Sequence, residues 1–246
     1  MRRLLLCALV LGLGATRAAA QDDPKDIIKK AIAAHGGAEK IDKYKAFKSH
    51  SKGTVTVLGM EAEFTNDTTF QAPDKFKSTI KLEIMGNSVT VEQRIVGDKV
   101  TRIANGMAQD LPEEAKAELK SSLGMQRILS LTPLLSEKGY QLKALGASKV
   151  DGMDVIGVEV SGNGVKDMKV YFDKTSYLIT KIERKGLDPV GQTEAKQEIL
   201  VSDYKEFNGV KRPTKTVLMV DGKKFMESVA TETTLLEKVD DKEFSD

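Results

Sequence analysis

Between residues 74 and 95 the chain alternates apolar and polar side chains, and this period of two constrains the fold more than any other stretch. In DKFKSTIKLEIMG (74–86), Phe76, Ile80, Leu82 and Ile84 share one face, while Lys75, Lys77, Thr79, Lys81 and Glu83 share the other. After the Gly86-Asn87 turn, Val89, Val91 and Ile95 oppose Ser88, Thr90, Glu92 and Arg94. Successive side chains of a strand point to opposite faces, so this is a half-buried antiparallel pair joined by a tight turn. Turn signals recur at Asp151-Gly152, Asn163-Gly164, Asn208-Gly209 and Asp221-Gly222, with strand-like runs such as KDMKVYFDK and SYLITKIER between them. The pattern predicts about ten strands, all antiparallel.

Two stretches depart from that period. Asp23-Pro24 is a strong helix start, with Asp23 as the cap, Pro24 in the first turn and Asp26 at the positive end. Ile27, Ile28, Ala31 and Ile32 then form an apolar stripe, and Gly36-Gly37 stops the helix after His35. The second stretch, PEEAKAELKSSLGMQRILSLTPLL (112–135), spaces Leu119, Leu123, Ile128, Leu131 and Leu135 three and four residues apart. Gly124 and Pro133 predict breaks, hence two short helices inserted between the two halves of a sheet. These helices must cover the apolar face, or two sheets must pack on each other. A sheet curving around them would enclose an apolar space, filled by side chains or left for a ligand.

The opening of the chain belongs to a different class. Arg2 and Arg3 precede an apolar run from Leu4 to Ala15, and Ala18-Ala19-Ala20 supplies small residues before a cut. This reads as a secretory leader over residues 1–20, its apolar run too short to span a bilayer, with Gln21 as the first mature residue. Residues 21–246 then form one domain, secreted across an inner membrane into the periplasm or beyond. Arg2, Arg3 and Arg17 leave with the leader, turning 38 Lys+Arg against 36 Asp+Glu into a formal charge of −1. That balance argues against nucleic acid as a partner. The single cysteine, Cys7, leaves as well, so neither disulfides nor thiol chemistry are expected.

Little catalytic apparatus is visible. The mature chain has two histidines, His35 and His50, and no phosphate loop, H-E-x-x-H, G-x-S-x-G or C-x-x-C. The glycines of GNG at 162–164 fit a hairpin turn, His35 a solvated or capping position, and the acidic VDDKEFSD a solvated tail. No cofactor, no metal and no enzymatic activity are expected. Carboxylates are abundant, so a secreted hydrolase using a carboxylate pair stays as the third reading.

Three phrases together resemble the periplasmic lipoprotein-carrier superfamily, LolA-like or outer-membrane lipoprotein-sorting proteins: AAHGGAEKIDKYKAF, VYFDKTSYLITKIE (170–183) and SDYKEFNGVKRPTKT (202–216). The resemblance runs over most of residues 24–235 and points to secreted envelope members more than to the carrier itself. It implies a mainly β (α+β) fold, a strongly curved antiparallel sheet forming an unclosed half-barrel with short helices covering the concave face. It further implies a lipid, or the acyl chain of a lipidated protein, as the partner. Each buried methylene gains about 0.8 kcal/mol, so a long acyl chain contributes on the order of 10 kcal/mol before costs. In the carrier a basic residue near the first strands engages the helical cover; Arg94 and Arg102 lie in that region, and the role is carried over to neither.

For such a cavity the expected lining is Phe76, Ile80, Leu82 and Ile84, then Val89, Val91 and Ile95 on the next strand. Met168, Val170 and Phe172 add a later strand, and Leu119, Leu123, Ile128 and Leu131 the helical cover. The same residues also suit an ordinary filled core. Eight methionines outside the leader favour an adaptable lining. The readings are thus a monomeric lipid or acyl-chain binder, possible envelope protein partners included, an envelope interaction module with a filled core, and the hydrolase.

Overall fold

The computed structural model describes residues 22–57, 59–188 and 193–245; the expected leader and its cleavage before Gln21 lie outside the described residues. Helix α1 (Pro24–Ala34) begins as its sequence dictates, the Asp23 carboxylate accepting from the Lys25 N–H at 2.8 Å. Ile27, Ile28, Ala31 and Ile32 are its buried stripe. Its end docks closely: a side chain at Gly36 would run into the Gly209 carbonyl oxygen, and the Lys211 N–H donates to the His35 carbonyl. A short α2 (Ala38–Lys43) leads into the sheet.

Six strands follow as a meander, β1 (Ala46–Val57), β2 (Met60–Gln71), β3 (Lys75–Ile84), β4 (Asn87–Val96), β5 (Lys99–Ala104) and β6 (Met107–Gln109). Helices α3 (Glu113–Ile128) and α4 (Pro133–Ser136) come next. A second meander completes the chain, β7 (Tyr140–Val150), β8 (Met153–Gly162), β9 (Val165–Asp173), β10 (Ile179–Leu187), β11 (Glu194–Phe207), β12 (Val210–Val220) and β13 (Lys223–Leu236). All ladders are antiparallel, and the order is β6-β5-β4-β3-β2-β1-β13-β12-β11-β10-β9-β8-β7. The first and last strands therefore meet at the centre, while β6 and β7 end the order unpaired with each other. The thirteen strands among the described residues exceed the expected ten because pieces as brief as β6 show no period in sequence.

The sheet must curl, and a length argument says why. Helix α3 touches β5 on one wing and β9 and β10 on the other. Strands β5 and β10 are eight strand spacings apart in the order, about 38 Å if the sheet were flat. A helix of 16 residues is only about 24 Å long. Both contacts are possible only on a strongly curved, unclosed half-barrel with the helices inside its concavity. Register shifts in the β1–β13, β12–β13, β9–β10 and β7–β8 ladders add local bend.

Two expectations are corrected. Helix α3 runs through Gly124 without a break, because the residue is needed for close approach: a side chain there would lie 2.6 Å from Val165 Cγ1. The acidic end is no free tail. Val239 and Phe244 are buried against Ala46 with Val96 and Leu236 alongside, and Asp241 pairs with Lys75 at 2.8 Å.

Candidate functional site

The strand registers show how the concave face is made. One transverse row runs Leu235, Phe47, Phe70, Phe76, Ile95, Val100 across β13 to β5, and is apolar throughout. The next row, two residues along each strand, runs Thr233, Ser49, Thr68, Ser78, Gln93, Arg102, and is polar throughout. The row after that mixes Ala230, Ser51 and Asn66 with Ile80, Val91 and Ala104. The inner face is therefore banded, where a uniformly apolar one was expected. Within the polar band the buried Ser78 hydroxyl donates to Asn66 Oδ1 at 2.8 Å, and Asn66 Nδ2 donates to Thr68 Oγ1 at 3.1 Å. These bonds satisfy groups that would otherwise be costly to remove from water.

Helix α3 sits on the apolar row. Leu119 and Leu123 pack with Phe70, Phe76 and Ile95, and the rings of Phe47 and Phe70 lie 5.3 Å apart. The helix is pinned to the far wing by Arg184 of β10, whose side chain is 4% exposed and whose partner Glu118 is 13% exposed. Arg184 Nη2 donates to Glu118 Oε1 at 2.6 Å, Nε to Gln197 Oε1 at 2.9 Å and Nη1 to Ser121 Oγ at 3.3 Å. Lys166 of β9 takes the other oxygen of Glu118 at 2.9 Å.

Between α3 and the sheet lies a cavity of about 1160 Å³, larger than the roughly 300–1,000 Å³ of typical small-molecule sites. Phe47, Phe70, Leu119, Ile182, Ile199 and Val201 give it oily walls, and the polar band forms part of its floor through Ser49, Thr68, Gln93 and Arg102. At the α1 end a polar corner closes it. His35 is buried, its Nδ1–H donates to the Ala31 carbonyl at 2.8 Å, and its ring stands edge-on to Tyr204 at 5.7 Å. Because a carbonyl only accepts, Nδ1 carries the proton and Nε2 is left as a buried acceptor with no protein partner. Burial, reinforced by Arg212 and Lys211, lowers the His35 pKa and keeps the ring neutral. His35 thus caps α1, one of the two expected positions, and is buried where the other had it solvated. Tyr204 donates to the Ile179 carbonyl at 2.8 Å, and burial raises its phenol above the ordinary range. Arg212 of β12 lies over the Phe47 ring at 4.6 Å, and burial draws it down to about 10, still a cation at neutral pH. The other histidine, His50, contacts Asp67 at 2.6 Å outside this site.

Of the fourteen positions expected to line a cavity, Leu119 does so. Ile128, Leu131, Met168, Val170 and Phe172 are buried in the continuous core beneath α1 and α3. Phe76, Ile95 and Leu123 form the seat of α3. Ile80, Leu82 and Ile84 pack with Val55 and Phe64 toward the far end of the sheet, with Val91 opposite Ile80 and Val89 opposite Leu82. Met125 and Met226 face the cavity, whereas Met60, Met85, Met107 and Met153 are exposed at hairpin ends. Among the described residues Arg184 holds the helix, through Glu118.

The same architecture is found among solved structures. A DUF1329 family protein from Desulfovibrio piger superposes with a TM-score of 0.57 at 13% identity, over 91% of this chain and 98% of its own. A LolA superfamily protein from Nitrosomonas europaea gives 0.51 at 12% identity, over 92% and 98%. The fold is LolA-like. No family model matches the sequence, and no curated protein matches it either. The LolA-like architecture places the cavity where it can be described chemically. Its walls are oily and one end is cationic; of its acids, Glu118 and Glu137 are paired with arginines, at 2.6 Å each, and Asp42 accepts from the Thr132 hydroxyl at 2.7 Å.

Proposed function

We propose that this protein binds a lipid or acyl chain in the cavity under α3, as a non-enzymatic component of the cell envelope acting in the periplasm as a monomer. The observation that supports this reading is the cavity itself, about 1160 Å³ bounded by Phe47, Phe70, Leu119, Ile182 and Ile199. Apolar walls of this kind recognise hydrocarbon through area alone, and the methylenes of a guest supply the binding energy. The LolA-like half-barrel is compatible with a carrier role, in which α3 would swing away from the apolar row to admit or release the chain. The Arg184–Glu118 link would then set how readily it moves.

Native mass spectrometry of protein purified from its own envelope is the direct test, with uptake of a fluorescent fatty acid ester as the second readout. Ala230 of β13 lines the cavity outside the continuous core, so Ala230→Trp fills the space from a wall without disturbing that core. Retained acyl species in the unaltered protein, and their loss in Ala230→Trp at unchanged circular dichroism, is the expected result. An empty unaltered protein that takes up no probe removes the reading and leaves the interaction module.

A further inference from the structure

We propose that the occupant of this cavity is an acyl chain ending in an oxyanion, its carboxylate or phosphate head held by Arg212 at the corner it shares with His35 and Tyr204. The inference rests on the acyl-chain reading and adds the chemistry of the head. It starts from a census of cavity arginines. Of the four, Arg127 is committed to Glu137 and Arg184 to Glu118, each at 2.6 Å, and Arg102 stands in the polar band opposite Gln93. Arg212 has no carboxylate within ion-pair distance among the described residues; it rests on the face of Phe47 at 4.6 Å. A guanidinium brings five N–H donors in a rigid fork. The neighbouring Tyr204 hydroxyl is already spent on the Ile179 carbonyl. Set on an aromatic wall of the cavity with no acceptor from the protein, this cation keeps its donors for an oxyanion that enters.

The second observation is independent of the first. His35 Nε2 is buried, holds a lone pair and meets no donor from the protein. An oxyanion accepts and so takes the donors of Arg212, while only a head that keeps a proton, such as a monoprotonated phosphate, has a hydrogen to give His35 Nε2. The oily walls run from this corner toward Leu218 and Met226, leaving room for the chain behind its head.

The test uses three ligands with the same chain and different heads, hexadecanoate, monohexadecyl phosphate and methyl hexadecanoate, each displacing the neutral dye N-phenyl-naphthylamine from the protein. Both anions should bind about tenfold or more tightly than the ester, the scale of a charge-assisted hydrogen bond. In Arg212→Met this ratio should collapse to about twofold or less, and Arg212→Lys, which keeps charge but loses the fork, should retain part of it. Circular dichroism of both variants checks the fold. Equal binding of ester and anions by the unaltered protein, or a preference that survives Arg212→Met, overturns the proposal while leaving the acyl reading standing. Failure of all three ligands to displace the dye overturns both. Either ranking of the two anions supports the proposal and says which head the corner prefers.

Discussion

On β8 and β9 the concave positions Val158, Val160, Met168, Val170 and Phe172 are buried beneath the helices, whereas on β3 Phe76, Ile80, Leu82 and Ile84 keep part of their surface exposed. Both wings alternate in the same way, and both present their larger apolar residues inward. The difference lies in what covers them. Helix α1 lays its isoleucine stripe on β7 and β8, and α3 adds Ile128 to the same cluster. On the other wing α3 reaches only the row through Phe70, Phe76 and Ile95, and beyond it the polar band begins. The lesson is that strand alternation says which residues share a side, while the landing place of the helices decides whether that side becomes core or cavity.

The sharpest way to break this contrast is to remove one large side chain from each wing. Phe172→Ala should cost about 3–5 kcal/mol, because the hole it leaves is bounded by a packed core. Leu82→Ala should cost roughly 1 kcal/mol, since a partly exposed leucine forfeits only part of its transfer energy. Urea midpoints at unchanged slope measure both, and equal losses would show the two wings to be packed alike. The joint between the wings comes next. Arg184→Met leaves Glu118 facing only Lys166, and should cost about 3 kcal/mol with faster hydrogen exchange in α3. Unchanged exchange would mean that the apolar row alone holds the helix.

A last effect concerns pH and the α1 end of the covered wing. The folded protein holds His35 below its ordinary 6.5, so on unfolding in mild acid the chain takes up a proton that the native state refuses. Stability is then complete above that ordinary value and falls as pH drops through it, by at most about 1.4 kcal/mol per pH unit. His35→Gln should flatten the slope between roughly pH 7 and 5. An identical slope in the variant would show that His35 is not the group refusing the proton.

Much of this architecture was legible in the chain. The cap at Asp23, the stripe on α1, the β3–β4 hairpin and its face, and the helical insertion all follow from local rules, and each is as the residues dictate. The banding was legible too, but only by asking about the positions skipped: Ser78 and Gln93 share parity with Phe76 and Ile95, and they are the polar row. Arg184 and Arg212 left no such trace. Each sits in an unremarkable strand, and its meaning depends on Glu118 and on Phe47, 66 and 165 residues away in the chain. The docking of Phe244 was hidden for the same reason, since one aromatic among acids announces no partner.

Because β13 joins β1 at the middle of the sheet, the two meanders cannot become one until the last of the thirteen strands has been synthesised. Until then β1 and β12 each present a long unpaired edge, the kind of surface on which nascent chains stick to one another. Synthesis order thus makes residues 223–236 a keystone: shorten the chain before them, and two sticky half-arches replace a single span.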